Sequence, residues 1–105
     1  MSSLTYIFGN TQYHIEEQPN NGTLLDIAWN TNNPLKKLWA RFAFERDGSS
    51  TVTTTQVPRF FNAFTIRQAQ LRYAAIIQRG VGKSAFGILR AHFDARKLKE
   101  SIRNS

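Results

Sequence analysis

The sequence predicts an α+β domain in which an antiparallel sheet of four to five strands is followed by two antiparallel C-terminal helices packed on it. Up to residue 57, short segments rich in strand-forming residues are separated by Gly, Pro and Asn, as in antiparallel sheets. After Pro58 the apolar residues recur with a helical period. The chain has 105 residues, the size of a single domain, mainly strands over 1–57 and mainly helices over 58–105.

The first three strands are predicted from turn chemistry and apolar content. Residues 4–8 and 11–16 form a hairpin, because Gly9-Asn10 between them can supply the positive φ angles of a two-residue turn. The turn residues 19–22 then precede an apolar strand over 23–29. Three consecutive strands joined this way indicate an antiparallel meander.

The longest strand candidate runs over 35–45 and has two different faces. Its even positions are apolar, whereas Trp39 and Arg41 alternate on the other face. We prefer the interpretation that the helices cover the Trp39 and Arg41 face, with Trp39 in the core. The alternative is an open face on which Trp39 and Arg41 stack unpaired bases.

Two segments between the longest strand candidate and the first helix could lie at the edge of the fold or inside it. Residues 51–57 combine strong strand propensity with little apolar content, which predicts an edge strand with one wet face. The phenylalanines Phe60, Phe61 and Phe64 precede the first helix. We expect them to fill the core, and an exposed docking patch is the alternative.

Two helices are predicted over about 62–78 and 84–103. The second carries an apolar stripe that steps by three and four residues through Ile88, Ala91, Ala95, Leu98 and Ile102. A second apolar patch, Phe86, Leu89 and Phe93, falls on roughly the opposite side. Only one can face the sheet, so we assign the Phe86, Leu89 and Phe93 patch to a protein interface and expect a homodimer or a subunit of a complex.

The segment Arg79–Gly87, RGVGKSAFG, ends like a phosphate-binding loop but lacks its first glycine. That glycine would stand at position 77, which is Ile77, and the preceding segment is helical rather than a strand. The better interpretation is that Gly80 ends the first helix and the hydroxyl of Ser84 caps the second. Lys83 beside the free amides of that helix could still hold one phosphate.

The positive charge is concentrated in the C-terminal half. The formal net charge is +7; residues 1–57 hold four Lys and Arg against five Asp and Glu, and residues 58–105 hold ten against two, a net charge of +8. Such a field favours a polyanion. The absence of cysteine excludes disulfides and Cys-ligated metal sites. With no apolar span or signal peptide evident, we expect a cytoplasmic protein with no membrane partner.

Basic residues recur on one face of each predicted helix, and antiparallel helices would merge those faces. The predicted polyanion-binding residues are Arg67, Arg72, Arg79, Lys83, His92, Arg96, Lys99 and Arg103. Helix surfaces are often basic merely for solvation, but here few acids relieve the repulsion. Arginine suits phosphate oxygens, so the partner we expect is nucleic acid, DNA or RNA.

No catalytic constellation is present in the sequence, so we expect a protein that is not an enzyme. His14 and Glu16 share a strand face and His92 lies on a helix, a set whose spacing alone leaves a metal site open. The two histidines are scattered and come without residues that would orient them as ligands, so we predict no metal and no cofactor. The predicted function is nucleic-acid binding with weak sequence specificity. The alternative is a small accessory or regulatory protein that binds an acidic face of a protein partner.

Overall fold

A five-stranded antiparallel sheet forms one layer and two helices form the other, which confirms the predicted fold class. The computed structural model describes residues 2–29, 38–55 and 63–104. The strands lie in the sheet in chain order: β1 (Ser3–Phe8), β2 (Thr11–Glu17), β3 (Thr23–Trp29), β4 (Leu38–Phe44) and β5 (Ser50–Thr55). A 3-10 turn, Pro19–Asn21, precedes β3, and the helices are α1 (Ala63–Arg79) and α2 (Ala85–Arg103).

Both helices cover the same face of the sheet, and the core lies between the two layers. The sheet contributes fully buried side chains from its central strands, among them Ile15, Leu25 and Phe42. Ile77 of α1 and Leu89 of α2 are fully buried and form the helix side of the core. Because side chains alternate along a strand, the residues between these positions face away from the helices.

The helix connection has the form expected from its residues. α1 ends at Arg79, and the hydroxyl of Ser84 accepts a hydrogen bond of 3.1 Å from the amide of Gly87, which caps α2. Gly80 packs so closely on Ile88 that a side chain there would clash. Arg46, in the turn between β4 and β5, donates a 2.6 Å hydrogen bond to the carbonyl of Gly80 and so fixes this end of the helix pair to the sheet.

The predicted protein interface on α2 is wrong, because Phe86, Leu89 and Phe93 pack on the sheet. All three are buried, and Phe93 is 0% exposed. This face carries the bulkier side chains, so turning it toward the sheet removes more apolar surface from water. Of the stripe on the other side of α2, Ile88 is also buried, but the rest of it faces outward, with Leu98 62% and Ile102 65% exposed.

The remaining fold predictions have mixed outcomes. β5 is an edge strand, as expected of its threonine-rich sequence, although 56–57 lie outside the described residues. β4 begins at Leu38, and positions 35–37 also lie outside them. Phe64 is 68% exposed, so the expectation that it fills the core is wrong. Phe60 and Phe61 lie outside the described residues.

Candidate nucleic-acid interface

Basic residues of the two helices converge on His92. The helices are antiparallel neighbours, and the His92 ring stands edge-on to Tyr73 of α1 with 6.0 Å between ring centroids. Arg72 on α1 and Arg96 and Lys99 on α2 all lie close enough to His92 to lower the pKa of its imidazole. Four of the predicted polyanion-binding residues are therefore gathered between the helices.

His92 itself is held neutral by its surroundings. Burial is the largest cause of its lowered pKa, and the nearby charges of Arg72, Arg96 and Lys99 add to it. Its Nε2 atom is buried and has no hydrogen-bond partner among the described residues. A proton on this ring would also be placed in a positive field, so neutralising that field would make protonation easier.

Arg96 lies flat on an aromatic wall formed by the sheet. Its guanidinium carbon is 4.2 Å from the ring centroid of Phe8 and 5.3 Å from that of Tyr13. Nη1 also donates a long, 3.4 Å hydrogen bond to the hydroxyl of Tyr13. These contacts hold the guanidinium by cation–π attraction without neutralising its charge.

Within the described residues, the converging cations have no carboxylate partner. In the part of the chain that the structure describes, the ion pairs within 4.0 Å are Arg41 with Asp26 and Arg90 with Asp94. Neither pair involves Arg72, Arg96 or Lys99. Since like charges held together raise the free energy of the fold, an external anion would relieve their repulsion.

A cavity of about 350 Å³ lies between α1 and the ends of β2 and β3, and of these cations Arg72 lines it. Tyr13, Trp29 and Tyr73 give it an aromatic lining, and Arg72 and Gln68 contribute polar groups. Burial, with Tyr13 as a further cause, raises the pKa of Tyr73, so its phenol stays uncharged. We name this site the basic groove: Arg72, His92, Arg96 and Lys99 with the aromatic side chains of Phe8, Tyr13, Trp29 and Tyr73.

The other predicted polyanion-binding residues lie outside the basic groove. Arg67 donates a 3.1 Å hydrogen bond to Gln70, whose amide in turn donates one of 2.8 Å to Ser50, so Arg67 lies toward β5. Lys83 is in the helix connection and Arg103 is the last residue of α2. At 1.5 Å per residue α2 is roughly 30 Å long, so the ends of the helix pair are distant from each other.

Two predictions at the helix connection have different outcomes. Ser84 caps α2 as expected, and Gly80 lies just beyond the last residue of α1. Arg79 and Lys83 are both exposed at this end of the helices. The prediction that all eight basic residues form a single surface is therefore only partly correct. Arg79 and Lys83 lie at the connection between the helices, away from the basic groove.

Trp39 and Arg41 lie on the face of the sheet that the helices leave uncovered. The helices pack on Ala40, Phe42 and Phe44 instead, so the preferred interpretation of Trp39 as core beneath the helices is wrong. Arg41 is bound to Asp26 by two hydrogen bonds, Nε to Oδ1 at 2.7 Å and Nη2 to Oδ2 at 2.9 Å. Its charge is therefore neutralised within the protein, unlike the charges in the basic groove.

The aromatic part of the basic groove was not predicted as a site. Tyr73 falls on the apolar stripe of α1 and looks like an ordinary core residue in the sequence. Phe8 and Tyr13 lie on neighbouring strands, and only the tertiary structure brings Arg96 over their rings. The sequence signal that could have indicated this aromatic surface is the tyrosine and phenylalanine content of the inward positions of β1 and β2.

Comparison of the chain with family models, with curated protein sequences and with solved structures finds no match. The functional argument therefore depends on the site itself. Within residues 2–29, 38–55 and 63–104 there is no group of three or more His, Asp or Glu that could hold a metal ion. None of the helices in these ranges is both long and apolar enough to cross a membrane.

Proposed function

We propose that this domain is a non-enzymatic nucleic-acid-binding protein and that the basic groove binds a single-stranded segment. The observation that carries the proposal is the convergence of Arg72, Arg96 and Lys99, with no carboxylate partner among the described residues, next to an aromatic-lined cavity that Arg72 borders. Cations supply attraction to phosphates and aromatic rings supply stacking surfaces, the two elements that single-strand binders combine.

The aromatic lining favours a single strand over a duplex. In a duplex the faces of the bases are stacked on one another, so only unpaired bases can enter a cavity and contact aromatic side chains. The cavity volume of about 350 Å³ falls within the range of small-molecule pockets. Tyr13 and Trp29, which are partly exposed, are the rings that a base would contact there.

The cations favour an extended anion over a small one. Phosphates bound to several cations release counterions from the nucleic acid, and this release makes binding strong at low salt and weak at high salt. The described residues that line the cavity include no carboxylate, so the proposed role is binding without chemistry.

The proposal is tested by fluorescence anisotropy with labelled single-stranded DNA, single-stranded RNA and duplex DNA of mixed sequence. The variant Arg72→Glu with Lys99→Glu places two negative charges in the basic groove at exposed positions. We expect it to lower affinity for the single strands at least tenfold, which is about 1.4 kcal/mol.

The matched control is Arg67→Glu with Lys97→Glu. It also changes one base on each helix and lowers the net charge from +7 to +3. Arg67 lies toward β5 and Lys97 toward β1, where it borders Phe8, and neither residue lines the cavity of the basic groove. We expect it to bind within about threefold of the unaltered protein, as for changes remote from a site.

Two results would reject the proposal. Equal losses in the two variants would mean that net charge alone attracts the nucleic acid. No binding of the unaltered protein at low salt would favour the accessory-protein alternative, in which the same cations contact an acidic protein surface.

A further inference from the structure

The uncovered face of the sheet contains a second cavity, separate from the basic groove. It has a volume of about 260 Å³ and lies among Gln12, His14, Asp26, Ala28, Trp39 and Arg41. These residues belong to β2, β3 and β4, and all point away from the helices. The basic groove lies on the other side of the sheet, so the two sites share no side chain.

Strand register explains why a cavity forms at this place. Gln12, Ala28 and Trp39 stand side by side on adjacent strands as paired residues. The small Ala28 between two large side chains leaves a depression with the Trp39 indole as one wall. The neighbouring row, His14, Asp26 and Arg41, is paired in the same way and supplies a polar end.

The polar end is held in place by hydrogen bonds. Arg41 is fixed to Asp26 through Nε and Nη2, at 2.7 and 2.9 Å. These two bonds leave the N–H groups of Nη1 and the remaining lone pairs of the Asp26 carboxylate for a ligand. His14 is likewise oriented, because its Nδ1 is hydrogen-bonded to the hydroxyl of Thr5 at 2.8 Å.

The charges at this site are balanced, which distinguishes it from the basic groove. The carboxylate of Asp26 neutralises Arg41, whose side chain is 46% exposed. A phosphate would therefore find no net attraction here. The site suits a flat, uncharged ring with hydrogen-bond donors and acceptors on its edge. Trp39 offers the ring an aromatic surface, Asp26 offers an acceptor and Arg41 offers donors.

We propose that this cavity binds a nucleobase, with the ring against Trp39 and its polar edge on Asp26 and Arg41. Base stacking on an aromatic side chain and hydrogen bonds to an exposed base edge are the means by which single-stranded bases are recognised. A purine, with the larger face, stacks better than a pyrimidine. The inference does not depend on the basic groove, since it requires no phosphate.

The two tryptophans make a direct test. Trp29 lines the basic groove and Trp39 lines the open-face cavity, and these are the two tryptophans of the sequence. Their indole N–H resonances in ¹H–¹⁵N NMR spectra, assigned with Trp29→Phe and Trp39→Phe, report the two sites separately. The probes are adenosine and uridine, which carry no phosphate, with ribose as the blank.

We expect adenosine to shift the Trp39 resonance saturably, more tightly than uridine, and with the same affinity at low and high salt. A shift of Trp39, alone or together with Trp29, supports the proposal. A shift confined to Trp29, or no saturable shift of either resonance, overturns it. Failure here leaves the anisotropy result for the basic groove unaffected, so the two proposals fail independently.

Asp26→Asn tests the polar end. The change is isosteric and on the surface, and it removes the charge that fixes Arg41, so adenosine affinity should fall about tenfold. Glu45→Gln is the matched control, because it makes the same change of charge at an exposed position after the end of β4 and does not line the cavity. Equal adenosine affinity in the two variants would contradict the assigned role of Asp26.

Discussion

The arginines on the two faces of the sheet differ in whether a carboxylate neutralises them. On the helix-covered face, Arg96 lies over aromatic rings and no carboxylate approaches it among the described residues. On the open face, Arg41 is held by two hydrogen bonds to Asp26. The guanidinium that α2 places against one face of the sheet is therefore unneutralised, whereas the guanidinium on the other face is neutralised.

This difference teaches that arginine content alone does not define a polyanion site. Arg41 and Arg96 both lie near aromatic side chains, Arg41 in the cavity that Trp39 lines and Arg96 over the rings of Phe8 and Tyr13. What separates them is the partner: Arg41 stands opposite an aspartate in the register of β3 and β4, whereas Arg96 comes from a helix and, among the described residues, contacts the rings of Phe8 and Tyr13 and the hydroxyl of Tyr13. The local excess of positive charge is thus confined to the helix side.

The largest expected effect is on folding, and it separates the covered face from the open one. Phe93 is fully buried and contacts the rings of Tyr6, Tyr13 and Tyr73, so Phe93→Ala should lower the free energy of unfolding by about 3 to 5 kcal/mol. Trp39→Ala on the open face should cost about 1 to 2 kcal/mol, because the indole is partly exposed. Urea denaturation measures both, and equal losses would contradict the assignment of the core.

The next effect concerns the shape of Arg96 rather than its charge. Arg96→Lys keeps the positive charge but loses the planar group that lies on Phe8 and Tyr13. We expect a several-fold loss of affinity for single-stranded oligonucleotides in anisotropy measurements. Lys99→Arg is the control and should bind like the unaltered protein. An unchanged affinity in Arg96→Lys would show that the aromatic wall has no role in binding.

A smaller effect should appear in the pH dependence of binding. The pKa of His92 is lowered mainly by burial and further by Arg72, Arg96 and Lys99. A bound polyanion neutralises those cations and raises the pKa of His92, so the complex binds more protons than the free protein. Affinity should therefore rise as the pH is lowered through the range between the free and bound pKa values, below about 6.5, and level off below both.

His92→Gln should remove this rise. Affinity measured by anisotropy across this pH range, with the unaltered protein and the variant side by side, decides the point. A rise that persists without His92 would place the titrating group elsewhere.

The sequence was sufficient for the fold because local signals agree with one another. The Gly9-Asn10 turn, the change of period after Pro58 and the Ser84 cap each fix one boundary, and the structure places strands and helices accordingly. It was not sufficient for the face of α2. That helix has two opposed apolar stripes, and only packing on the sheet decides that Phe93 goes inward and Leu98 outward.

The candidate site could be predicted only in part for the same reason. Helical spacing groups the basic residues on each helix, and four of the eight meet between the helices. The separation of Arg67 from this group depends on which flank of α1 faces β5, a tertiary fact. The neutralisation of Arg41 depends on strand register, which places Asp26 opposite it.

The salt dependence of binding tests the central claim most directly, because the slope of log affinity against log salt counts the phosphates that the protein neutralises. The measurement compares the unaltered protein with the Arg72→Glu, Lys99→Glu variant and with the Arg67→Glu, Lys97→Glu control on one single-stranded oligonucleotide. If the basic groove neutralises the phosphates, the first variant loses at least two contacts and its slope becomes shallower by about 1.4, whereas the control keeps the original slope. Equal slopes in all three proteins, or the shallower slope in the control, would contradict the account.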